Sequence, residues 1–108
     1  MKSGICLYGV GGDMAGAIFE LEEGVTLIGR DTLKCSIIYP EGTPGISGVH
    51  CQAKPAYPYV EIMDMGSRYG TYNENGVQLQ KNIPYQMKNG DSFYLGERKN
   101  KFMIKVMK

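Results

Sequence analysis

Arg30 closes an apolar run behind a glycine, and Ser47 follows a loop rich in proline and glycine. Arginine carries a permanent charge on a planar fork of donors that matches phosphate or carboxylate oxygens. A serine hydroxyl can add a further donor. Such a pair suits anion binding. Catalysis would need more, and no nucleophile, base and orienting group stand together in the chain. His50 is the only histidine, and Cys51 adjoins it. Neighbouring residues on a strand point to opposite faces, so the two cannot form a nucleophile–base dyad. Cys6, Cys35, Cys51 and His50 lack any CxxC spacing, which argues against zinc. The glycine-rich segment Gly9–Gly16 lacks the Lys-Ser/Thr of a phosphate-binding loop, and a strand pattern follows it where that loop needs a helix. The chain is therefore expected to be no enzyme and to need no metal or cofactor.

The elements that must position Arg30 and Ser47 read as β-strands. Ile5 and Leu7 alternate with Cys6 and Tyr8, and Val60 and Ile62 alternate with Glu61 and Met63. Ala17, Phe19 and Leu21 share one face, and Val25 and Leu27 another. Phe93 with Leu95, and Phe102 with Ile104 and Val106, complete the pattern. This period of two, with no sustained helical period, predicts strands. Asn75-Gly76 and Asn89-Gly90 are expected to be hairpin turns with positive φ. Tyr39–Gly45, with two prolines and two glycines, is expected to be a rigid loop. Many short strands with frequent turns imply an all-β sandwich or barrel.

Composition sets limits on function. The 108 residues suit one domain, so residues 1–108 are read as a single unit. A net charge of +1 with interspersed signs argues against a nucleic-acid surface. Lys99, Lys101, Lys105 and Lys108 are read as a solvated strand whose charges discourage edge pairing. Apolar runs such as Ala15–Phe19 are too short to span a membrane, and the first residues show no basic-then-apolar pattern, so export is not expected. Three widely spaced cysteines suit reduced thiols in the cytoplasm.

Four pieces then combine. Ile28-Gly29-Arg30 ends a strand, and Ser47-Gly48-Val49-His50 follows the Pro/Gly loop. Asp64–Thr71 carries Gly66, Ser67 and Gly70 and runs on to Asn75-Gly76, and Asn89–Gly96 precedes the last strand. In that order they resemble the GR, SxxH, DxGSxxGT with NG, and GDxxxLG signature of forkhead-associated (FHA) domains, in wording close to a bacterial subgroup. The resemblance covers nearly the whole chain. It implies a sandwich of two antiparallel-rich sheets with about eleven strands, in which Arg30 and Ser47 hold a phosphothreonine. That group brings about −1.5 to −2 charges and three acceptor oxygens. The resemblance also implies a structural His50, buried and bracing the Ser47 loop. Gly29, Asp64, Gly66, Ser67, Gly70, Thr71, Asn75 and Gly76 are expected to shape the loops, the polar side chains by bonding turn amides.

The chain departs from the family at two places. Gly48 stands where a peptide-contacting Arg, Lys or Asn is usual, and Tyr69 replaces the asparagine that clamps the peptide backbone. Arg68 and Lys34 are further candidates for ligand contact. The expected partner is a phosphothreonine protein or peptide in Ser/Thr-kinase-linked signalling, bound by a monomeric module. The alternative, favoured by Gly48 and Tyr69, is a phosphate-independent interaction domain in a secretion or scaffold assembly.

Overall fold

The computed structural model describes residues 1–107. Its strands, in chain order, are β1 (Lys2–Gly9), β2 (Ile18–Glu22), β3 (Thr26–Gly29), β4 (Ile37–Ile38) and β5 (Val49–Ala56). They continue with β6 (Tyr59–Asp64), β7 (Thr71–Asn73), β8 (Tyr85–Met87), β9 (Ser92–Leu95) and β10 (Lys101–Val106). Two five-stranded sheets result, in the orders β2-β1-β10-β9-β7 and β4-β3-β5-β6-β8. Only the β3–β4 pair is parallel. This is the all-β sandwich expected, and alternation explains its core. The first sheet contributes Ile5, Leu7, Phe93, Leu95, Phe102 and Ile104, and the second Ile28, Cys51, Ala53, Val60 and Ile62. Phe102 packs edge-on to Phe19 and Tyr39, tying β10 to β2 and to the Pro/Gly loop. All three cysteines are buried and unpaired.

The strand directions bring four connections to one end of the sandwich. These are 10–17, 30–48, 65–70 and 96–100, with β4 inside the second. Ligand loops on a rigid scaffold collect at such ends.

Three sequence expectations need correction. On β3 the inward residues are Thr26 and Ile28, while Val25 stands exposed and Leu27 half-exposed on the outer face. Asn89-Gly90 does not close a hairpin. It joins β8 of one sheet to β9 of the other, with only Gly90 at positive φ. The lysine-bearing β10 is no edge strand, because β1 pairs along it and β9 flanks its other side. Lys105 is solvated, but on the outer face of an interior strand. Lys108 lies outside the described residues.

Candidate functional site

Arg30 reaches the loop end because the β3–β5 ladder is irregular. Ile28 pairs with Cys51 and Gly29 with Val49, so His50 is the extra residue of a bulge. Gly29 is required there by crowding, since a Cβ would stand 2.1 Å from the Gly48 carbonyl oxygen. That close approach lets the Arg30 N–H donate to the carbonyls of Gly48 (2.9 Å) and Ser47 (3.2 Å). The Gly48 carbonyl also accepts from the Asp31 N–H and the Cys35 thiol. The Arg30 side chain is half-buried. Its Nε donates to the Ile46 carbonyl at 2.5 Å, and Nη1 to that of Glu41 at 3.0 Å. Nη2 has no protein partner among the described residues.

Ser47 joins this loop to the next. Its Oγ accepts the Arg68 N–H at 2.9 Å, which leaves the hydroxyl proton uncommitted among the described residues. Its own N–H donates to His50 Nδ1 at 3.1 Å. His50 is fully buried, and its Nε2 lies 2.8 Å from the Gly70 carbonyl. An Nδ1 that accepts and an Nε2 that donates define the neutral Nε2–H tautomer. The imidazole thus fastens the Ser47 loop to the 65–70 loop.

Asp64 organises the 65–70 loop from within. It is fully buried, and its Oδ1 accepts the hydroxyls of Ser67 and Thr71, each at 2.6 Å. Its Oδ2 accepts the Gly66 and Ser67 amides. Ser67 Oγ in turn accepts the Gly70 N–H at 2.9 Å. Gly66 and Gly70 sit at φ of +81° and +87°, where a side chain is strained. The chain therefore crosses from β6 to β7 by a loop held from inside, and Arg68 and Tyr69 project from it into solvent.

These groups make the site acid-sensitive in two windows. Burial depresses the His50 pKa below its ordinary 6.5, against the opposing pull of the Gly70 carbonyl and Asp64. Burial alone would raise Asp64. The Ser67 and Thr71 hydroxyls, with the Ser67 amide, hold it below 3.8 instead. In both cases the unfolded chain takes up the proton first, so stability rises with pH through each window. Stability should begin to fall as pH drops below about 6.5 and fall further below about 4. A denaturant series across pH 3–8 on wild type and His50→Gln measures this. The variant should keep the lower window and lose the upper one.

The FHA domain family model matches residues 26–96, about two-thirds of the chain. The chain belongs to the FHA family. FHA domains are protein-interaction modules. The FHA domain of CT664 from Chlamydia trachomatis superposes with a TM-score of 0.80 at 21% identity, covering 96% of this chain and 98% of that one. The MEK1 FHA domain in complex with the HOP1 pThr318 peptide gives 0.77 at 21% identity, covering 96% and 97%. The cytoplasmic domain of PscD, a type III secretion sorting-platform protein of Pseudomonas aeruginosa, gives 0.78 at 16% identity, covering 95% and 80%. No curated protein sequence matches the chain.

Within this FHA domain, Arg30, Ser47, Gly48 and Arg68 meet through the hydrogen bonds above, and Tyr69 continues from Arg68. Tyr69 is half-exposed, its ring faces the Arg68 guanidinium 5.5 Å away, and it flanks a cleft of about 340 Å³ with Pro44, Gly45, Gly96 and Glu97. The Lys34 side chain joins none of these hydrogen bonds among the described residues. It stands exposed in the turn begun by Asp31, with no side-chain hydrogen bond or ion pair among the described residues. Asn75 was expected to bond turn amides, and the structure gives that task to Asn73. Its Oδ1 accepts the N–H groups of Asn75 and Val77, while Asn75 is exposed. Of the Asn75-Gly76 pair only Gly76 has positive φ, and its N–H closes a turn onto the Asn73 carbonyl. A side-chain acceptor at the first turn position, three residues before glycine, is the signal that was available.

Proposed function

We propose that residues 1–108 form one monomeric module that captures phosphothreonine proteins or peptides in Ser/Thr-kinase-linked signalling in the cytoplasm. The observation that carries this is that an uncommitted Arg30 Nη2 and the free proton of the Ser47 hydroxyl stand at the two ends of one connection, joined by the Arg30 N–H bond to the Ser47 carbonyl and fastened to the 65–70 loop by His50. A phosphate held there would gain charge-assisted bonds from donors that are already oriented. The peptide complex of the MEK1 neighbour supports the same reading. Binding of a degenerate phosphothreonine peptide library, set against its unphosphorylated counterpart, tests the proposal. Selection that depends on the phosphate is expected, and indifference to it would overturn the reading.

A second reading, phosphate-independent assembly, draws on particular observations. Two of the Arg30 donor positions are spent on loop carbonyls, Gly48 offers no side chain, and Tyr69 replaces the usual clamp. The secretion-platform neighbour keeps this fold. The Gly48 deficit is directly testable. A Cβ at Gly48 meets nothing within 4 Å and its φ is unstrained, so a longer side chain fits. Gly48→Arg should tighten a phosphothreonine peptide about fivefold by supplying one more charged contact. Unchanged affinity by calorimetry would show that the peptide does not pass over Gly48.

A further inference from the structure

The glycine-rich segment Gly9–Gly16 has no part in the contacts described above, yet it touches the loop that aims Arg30. Both carbonyls that orient the guanidinium, Glu41 and Ile46, belong to the 39–46 stretch. Beyond Tyr39, held by Phe102 and the Gly29 carbonyl, that stretch is fastened to the body of the sandwich from two sides. Thr43 is buried, and its hydroxyl donates to Asp13 Oδ2 at 2.6 Å. Asn100 is fully buried, and its Nδ2 donates to the carbonyls of Pro44 (3.2 Å) and Leu95 (3.0 Å). Asp13 sits in a single 3-10 turn, Gly12–Met14, between β1 and β2. The glycines let that turn approach. A Cβ on Gly11 would lie 2.7 Å from the Lys99 carbonyl oxygen, and one on Gly12 would lie 3.2 Å from Asn100 Oδ1.

We infer that Asp13, Thr43 and Asn100 are positioning residues for anion capture, acting on Arg30 through the carbonyls of Glu41 and Ile46. The physical case is one of ordering cost. A guanidinium side chain carries about 2 kcal/mol of rotamer entropy, and the loop with two prolines and two glycines leaves the sheet after the Tyr39 N–H bond to the Gly29 carbonyl. Clamping the loop at Thr43 and Pro44 fixes the two acceptors, and the acceptors fix the fork before a ligand arrives. Preorganisation of this kind appears as affinity, because the ordering is not charged against binding. A neutral hydroxyl bonded to a carboxylate is a short, charge-assisted contact, so the Thr43–Asp13 link is the stronger of the two clamps.

The inference rests on the phosphothreonine reading for its affinity arm alone, and a second measurement separates the two. Asp13→Ala and Thr43→Val should each weaken a phosphothreonine peptide about fivefold, and the double variant should be little worse than either. Asp13→Asn keeps an acceptor for the Thr43 hydroxyl and should recover most of the loss seen in Asp13→Ala. In parallel, the Arg30 Nε–H resonance of the ligand-free protein reports the fork directly. It should be sharp and slow to exchange in wild type and Asp13→Asn, and broadened in Asp13→Ala and Thr43→Val. An unaltered Nε–H signal in both of those variants overturns the inference whatever the peptide does. If wild type binds no phosphopeptide, the phosphothreonine reading fails and the resonance alone decides the positioning role.

Discussion

Arg30→Ala is expected to weaken a phosphothreonine peptide about a hundredfold. Each charge-assisted hydrogen bond to phosphate contributes about 1.5–3 kcal/mol, and the uncommitted Nη2 is the donor placed to make one. The same substitution releases the carbonyls of Ile46 and Glu41. Water can replace the guanidinium at both carbonyls, since Glu41 is exposed and the Arg30–Ile46 bond is only part-buried, so the cost in stability should be only about 1 kcal/mol. Binding and folding are thus separable in this variant. Arg30→Lys sharpens the test, because it keeps the charge and loses the fork. It should recover only a small part of the affinity, since a point charge cannot bond the loop carbonyls and a phosphate together. Calorimetric titration alongside thermal unfolding measures both effects. Equal binding by wild type and Arg30→Ala would remove the anion from this account.

Asp64→Ala should have the largest effect on stability. Its carboxylate accepts four hydrogen bonds in a fully buried setting. Truncation leaves two hydroxyls and two amides without their acceptor, and a buried donor so stranded costs about 1–3 kcal/mol. Partial relaxation of the loop should hold the total to about 3–5 kcal/mol. That is a large share of the roughly 5–15 kcal/mol available to a domain, and should lower Tm by more than about 15 °C. Asp64→Asn is the informative companion. It preserves shape and the acceptor for Ser67 and Thr71, but sets an amide donor against the N–H groups of Gly66 and Ser67. An intermediate loss is expected. If circular dichroism shows Asp64→Ala melting within a few degrees of wild type, the loop is held by something other than its carboxylate.

What the sequence made legible follows from how local each interaction is. The strands declare themselves because burial alternates residue by residue, as at Val60 and Ile62 or Phe102 and Ile104. The 65–70 loop is equally readable. Asp64, Gly66, Ser67 and Thr71 lie within a few positions of one another, and their bonding repeats common turn chemistry. The failures involve distant partners. Nothing near Lys101 or Lys105 says that β1, from the opposite end of the chain, will cover that edge. Nothing near Asn89-Gly90 distinguishes a hairpin from a crossing between sheets. The Asp13–Thr43 bond spans 30 positions and carries no motif. The Arg30 side chain shows both sides of this. Its place at the end of β3 was readable, whereas its commitment to two loop carbonyls depends on how the 39–46 stretch folds back. At the Asn75 turn the partners are local, but the acceptor is Asn73, at the first turn position, and not the residue beside the glycine.

The central claim is that a phosphate on threonine is held between Arg30 and Ser47. Its most direct test is a pair of amide chemical-shift titrations of the labelled protein with one peptide, phosphorylated and unphosphorylated. The account predicts that the phosphorylated form perturbs Arg30, Ser47, Gly48, Arg68 and Tyr69, with the Arg30 side-chain Nε–H among the signals that move. The unphosphorylated form should leave them in place. Perturbations that are the same for both peptides, or that fall on the outer faces of the sheets and spare these loops, would contradict it.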